Sequence, residues 1–152
     1  MSLDHDFILL DRAVDGEWEL LRLIHDPRAI HLHDDLIQYM SDTLKWIPTH
    51  NPSTNLPCCG LNMYGVTLIE QNGAFTGQKI FRAWARLLES GPSTLELTGG
   101  YGWIEGEPQE TGRYERLQYS RENTVRVLDT LADYCAEVQI ANGRLYIYHC
   151  GV

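Results

Sequence analysis

Residues 93–119, STLELTGGYGWIEGEPQETGRYERLQY from Ser93 to Tyr119, decide how the rest of the chain is arranged. Leu95, Leu97, Gly99, Tyr101 and Trp103 recur at period two, and Thr94, Glu96 and Thr98 fill the alternate positions. That alternation predicts a strand with one face turned to a core. The run Glu105-Gly-Glu-Pro-Gln-Glu-Thr-Gly112 breaks it, and Arg113 to Tyr119 returns as a second strand. The stretch is therefore a β-hairpin with an acidic tip. Tyr101, Trp103 and Tyr114 flank the acids, which suits a recognition surface of aromatic anchors with a charged rim. The competing reading makes Tyr101 and Trp103 core, since parity places them on the inner face with Leu95 and Leu97, and it weighs most for Trp103.

Helices flank this ribbon. Upstream, Asn72-Gly73 marks a turn and Thr76 caps a helix over 77–89. Its apolar face is Ile80, Phe81, Trp84, Leu87 and Leu88, and Gly91-Pro92 stops it. Downstream, Ser120 is an N-cap, and Val125, Leu128, Leu131, Ala132 and Cys135 mark a buried stripe. This helix either runs to Ala141 with Asn142-Gly143 as its C-cap, or stops near Tyr134 and leaves 137–148 as a hairpin around Asn-Gly. The longer helix is the reading adopted. Leu145, Ile147 and His149 alternate with Tyr146 and Tyr148 in a closing strand.

Toward the N-terminus, 6–12 forms a strand or leads into a helix. Asp15 is placed as the cap of that helix, with Glu17 and Glu19 in its first turn and Trp18, Leu21 and Ile24 on its buried side. It ends before Pro27. Asp34 or Asp35 caps a second helix carrying Leu36, Ile37, Met40, Leu44 and Ile47. The Pro/Asn/Ser/Thr-rich stretch 48–57 is assigned to a loop, and a strand follows over 63–70. Trp18, Trp46 and Trp84 are assigned to the core. The whole, residues 1–152, is one α+β domain: about four helices on one face of four or five mostly antiparallel strands.

Net charge is −9, from 21 acidic and 12 basic side chains. That balance argues against nucleic acid and against anionic membranes as partners, and suits solubility or attraction to a basic protein. The apolar run 7–10 is too short for a signal peptide or a membrane span, so a cytoplasmic protein is expected. Cys58, Cys59, Cys135 and Cys150 show no metal or disulfide framework, and adjacent cysteines bridge poorly. A reducing compartment fits.

Chemistry has few footholds. His31 and His33 with Asp34 and Asp35 resemble half of a metal site, but no third ligand has a fixed spacing, so neither metal nor cofactor is expected. A small metal-dependent hydrolase built on His31 and His33 is the alternative reading. Cys58 or Cys59 with His149 would be a thiol and base, without a recognised cysteine-enzyme signature around them. Glu105, Glu107, Glu110 and Glu115 include conceivable acid/base pairs, but carboxylates on a hairpin tip are poorly fixed for catalysis. The tip suits recognition better, with Glu105, Glu107, Glu110, Tyr114 and Glu115 as the partner-binding residues. A structural or regulatory homodimer joined through the hairpin is a third possibility. The glycines of 98–107 are not followed by Gly-Lys-Ser/Thr and make no phosphate loop.

Several segments together, CGLNMYG (59–65), AWARLLESGP (83–92), LTGGYGWIEGE (97–107), ETGRYERL (110–117) and the ending YIYHCGV (146–152), give a chain that resembles the bacterial immunity proteins of polymorphic and contact-dependent toxins. The resemblance covers roughly the last two thirds and rests on size, acidity and texture. It implies a single-domain cytosolic inhibitor that binds a cognate toxin domain tightly, often a basic nuclease, and performs no chemistry. An acidic surface would then steer the toxin in and cover its active site.

Overall fold

The computed structural model describes residues 3–152, apart from the side chain of Glu17. Six strands make the main sheet: β1 (Asp4–Leu10), β2 (Ile30–His33), β3 (Pro48–Asn51), β4 (Leu56–Cys59), β5 (Val66–Ile69) and β8 (Tyr146–Cys150). Their order is β2-β1-β8-β5-β3-β4, and every neighbouring pair is antiparallel. A separate two-stranded ribbon pairs β6 (Thr94–Gly102) with β7 (Arg113–Ser120). The α-helices are α1 (Glu17–Leu23), α2 (Asp34–Tyr39), α3 (Ser41–Leu44), α4 (Gln71–Glu89) and α5 (Arg121–Ile140). The fold class is α+β as expected, with eight strands and five α-helices among the described residues. None of these helices is long and apolar enough to cross a membrane.

Register fixes the two faces of the sheet. His5, Phe7, Ile69, Ile147 and His149 share the inner face, and the apolar ones join a core with Ile37, Met40, Phe81, Leu128 and Leu131. The helices α4 and α5 pack antiparallel over this face. Gln78 Oε1 accepts from Gln139 Nε2 at 2.6 Å, and Arg82 reaches both Asp129 and Asp133 at 2.6 Å. Arg86 meets Asp129 from the next turn at 2.6 Å. These arginines lie off the apolar stripe of α4. The helix α1 lies on the opposite face, where Leu20, Leu21 and Ile24 stand over Asp4, Asp6 and His31. The helices are thus not confined to one face.

The longer helix at the C-terminus is present. It ends at Ile140, and Asn142 and Gly143 take φ of 51° and 83°, the left-handed conformation that closes a helix. Ser120 caps its start by accepting from Asn123 N–H.

Five local readings are corrected. The stretch 48–57 is a hairpin, β3 and β4, not a loop. Gly60 N–H donates to Ile47 C=O, and counting from that bond makes His50/Pro57 a non-hydrogen-bonded pair. Pro57 therefore points its missing donor outward and interrupts no ladder bond, as an edge strand allows. Thr76 is not a cap, because α4 begins at Gln71 and Asn72-Gly73 lies inside it. The glycine is required there: a Cβ on Gly73 would lie 2.0 Å from the Pro48 carbonyl oxygen. The second predicted helix is split at Met40. Thr43 Oγ1 donates to Met40 C=O and competes with the helical bonds, and the cap of α2 is His33 rather than Asp34 or Asp35. Asp15 does not cap α1. Gly16 takes that position, and Asp15 N–H donates to Glu19 Oε2 at 2.7 Å; the Glu17 carboxylate expected in this turn lies outside the described residues. Trp18 and Trp46 are 82% and 67% exposed and so are not core, although Trp84 packs against it.

Gly73 supplies a stability test. An exposed Gly→Ala change in a helix stabilises by roughly 0.5–1 kcal/mol. Here the added methyl meets backbone, so Gly73→Ala should destabilise the fold by a net of about 1–3 kcal/mol and lower the thermal midpoint. Thermal unfolding of the purified variant reads the sign directly.

Candidate partner-binding hairpin

The ribbon has an anchored half and a projecting half. Leu95 and Leu117 are buried, and Leu97 and Tyr119 pack against the core. Tyr119 Oη stands 3.3 Å from His33 Nδ1, and burial with Asp35 nearby pushes its hydroxyl up to about 12. At the root, Arg121 N–H donates to Ser93 C=O and its guanidinium donates to Gly91 C=O. Beyond Leu97 and Leu117 no residue of the ribbon is buried. Every residue from Gly100 to Arg116 except Gly112 is exposed, so the arm extends about 15 Å at the rise of a strand.

A bulge changes what this arm displays. Thr98 pairs with Arg116 but Tyr101 pairs with Tyr114, so three steps on β6 match two on β7. One extra residue reverses parity beyond Gly99. Tyr101 therefore shares the outer face with Tyr114, Thr98 and Glu96, not the inner face with Leu95. Its ring packs edge-on against Tyr114 at 5.0 Å. Trp103 is 51% exposed, Ile104 68% and Tyr114 64%, so the core reading of Trp103 and Tyr101 is overturned.

The tip is held by its own bonds. Tyr101 Oη donates to Gln109 C=O at 2.8 Å, and Thr111 Oγ1 donates to Pro108 C=O at 2.7 Å. Glu107 N–H donates to Ile104 C=O at 3.0 Å, and 109–111 form a short 3₁₀ turn. Glu105, Glu107 and Glu110 are all exposed on this turn structure. Tyr114 and Glu115, adjacent in sequence, fall on opposite faces of the ribbon; Glu115 Cβ lies beside Gly99 on the inner side. The sequence reading left Trp103 between surface and core and did not single out Ile104. The Gly99-Gly100 pair was the available signal, since paired glycines in a strand often mark a bulge.

The histidines are engaged separately. His31 Nδ1 stands 2.5 Å from Asp6, whereas His33 Nδ1 accepts from Asp35 N–H at the start of α2. Among the described residues no three His, Cys, Asp or Glu side chains converge as a metal-binding set. Register places His31, Asp6 and Cys150 in one cross-strand row, in a cleft of about 940 Å³ under α1. Asp6 orients the His31 ring, but it also separates that ring from the thiol. Burial, with Asp6 adding, pushes the Cys150 thiol up, which favours the un-ionised form.

The pairing of Cys58 or Cys59 with His149 is not formed. Strands β5 and β3 lie between them, about 14 Å across the sheet. Both cysteines are exposed, including Cys59, and all four cysteines are free thiols. His149 instead belongs to a buried chain that the sequence did not suggest. His149 Nε2 and His5 Nδ1 are 2.8 Å apart with stacked rings, and His5 Nε2 lies 2.9 Å from Asp34 Oδ1. Gln38 Nε2 donates to the other Asp34 oxygen at 2.5 Å. A histidine on the buried parity of each of β1 and β8 was the only clue.

The chain was compared with known protein families, with curated proteins and with solved structures, and none of the three comparisons returned a match.

Proposed function

We propose that this chain is an immunity-type binding protein, which neutralises a bacterial toxin domain by tight protein–protein association and without catalysis. The observation that carries this reading is the projecting, internally bonded hairpin end. It holds Trp103, Ile104 and Tyr114 in water beside Glu105, Glu107 and Glu110. Aromatic side chains of this size bury about 150–250 Å² each when covered, and a cluster of them at a fixed tip has the composition of an interface core with a charged rim. The net charge of −9 supports a basic partner, drawn in by long-range attraction.

Capture of the partner from the source-cell lysate tests the reading at low and at moderate salt. The double variant Glu105→Lys/Glu107→Lys should bind more weakly, and its residual binding should depend less on salt. Unchanged affinity and an unchanged salt slope would remove the tip from the interface.

A further inference from the structure

We infer that the β6 edge of the hairpin is a strand-addition site, which takes an extended basic segment of the partner as a third strand. The inference rests on the binding reading above and adds the main-chain geometry of recognition. Arg121 N–H bonds to Ser93 C=O, and these two residues lie on the register that pairs Thr94 with Ser120. Ser93/Arg121 is therefore a hydrogen-bonded pair, and the alternation runs from there. Leu95/Tyr119 and Leu97/Leu117 turn their amides and carbonyls inward, into the ribbon. Thr94, Glu96 and Thr98 turn theirs outward, away from β7. No backbone group of any other described element bonds to these three residues, and all three are exposed.

The other free edges are less suited. On β4 one of the outward positions is Pro57, which has no donor, and β2 is only four residues long. The outer edge of β7 carries Arg116 in the same outward set, next to the exposed Arg113. The β6 edge carries Glu96, continues toward Glu105 and Glu107, and contains no proline. Charge thus selects β6 for a basic strand. It also disfavours a second copy: two β6 strands related by a two-fold at Glu96 would set the two carboxylates against each other. The bulge after Thr98 ends the regular edge, so the added strand spans about five residues, with Lys or Arg beside Glu96.

The probe is a seven-residue peptide of alternating lysine and valine, titrated to millimolar concentration into the isotope-labelled protein and followed by amide NMR and hydrogen exchange. The expected result is new protection at the Glu96 and Thr98 amides, with little change at Leu95 and Leu97, which are already bonded. A glutamate–valine peptide should give none. Glu96→Pro should weaken peptide binding about tenfold, because it removes one outward donor and no ladder bond. Protection at Arg116 or Gln118, shifts confined to 101–111, or no response at millimolar peptide overturns the inference. Exchange in the unmodified protein decides the matter even if the proline variant fails to fold. Capture of the native partner separates the two readings. If Glu105→Lys/Glu107→Lys abolishes it and Glu96→Pro does not, the tip stands and the strand edge falls. If neither variant changes it, both fall.

Discussion

Between pH 6.5 and about 3, His149 alone should remove about 1.4 kcal/mol of folding stability per pH unit. The chain of buried groups explains why. Asp34 accepts from His5 Nε2–H, and the facing nitrogens His5 Nδ1 and His149 Nε2 share one hydrogen, whose position the tautomers set. The remaining His149 nitrogen, Nδ1, is buried and has no partner. A second proton on this ring would place a charge among Phe7 and the other core side chains, next to a second histidine. Burial, with His5 adding, pushes the His149 ring down to about 3 from an ordinary value of 6.5. A depressed histidine leaves stability intact above pH 6.5. Below it the unfolded chain takes up a proton that the folded chain refuses, so stability falls with pH until about 3. Denaturant unfolding at a series of pH values measures the slope. His149→Gln should flatten it by about the single-proton value whatever its overall stability. Equal slopes in the two proteins would contradict the assignment.

Trp103→Ala should weaken partner binding by at least about 2 kcal/mol, roughly thirtyfold. The thermal midpoint should barely move, because Trp103 is outside the core and exposed surface changes are usually within about 0.5 kcal/mol. Trp18→Ala is the matched control. It removes the same ring from an even more exposed site on α1, and should leave binding unchanged. Titration calorimetry of the three proteins against the captured partner compares them directly. A loss shared equally by both variants would mean that general apolar stickiness, rather than the tip, drives association.

The parts of the fold visible in the sequence are those whose periodicity is local. The α5 stripe, the Ser120 cap and the Asn142-Gly143 stop appear where the pattern places them, because each depends on residues within a turn or two. The hairpin was legible up to Thr98. Beyond it the count by twos failed at a single inserted residue, which sent Tyr101 to the outer face. The Asn72-Gly73 pair was misread for a related reason: the glycine serves a contact with Pro48 on another element, and no local rule contains that contact. The proline-rich hairpin β3–β4 was hidden because prolines break strands in general but not at an outward edge position. Trp18 and Trp46 followed helical spacing, but short helices do not bury everything on a stripe. The His5–His149 pair joins residues 144 positions apart, and only tertiary register brings them together. Of the candidate site, the exposed carboxylates and Tyr114 were legible from composition, Trp103 stood as one of two readings, and Ile104 was not singled out.

Photo-crosslinking from residue 103 in the source cells tests the central claim most directly, with a crosslinking amino acid at 103 or, as the control, at the exposed Ile140 at the end of α5. The tip reading predicts one discrete adduct from position 103, absent from position 140 and lost with Glu105→Lys/Glu107→Lys. No adduct from 103, or the same adduct from both positions, would contradict it.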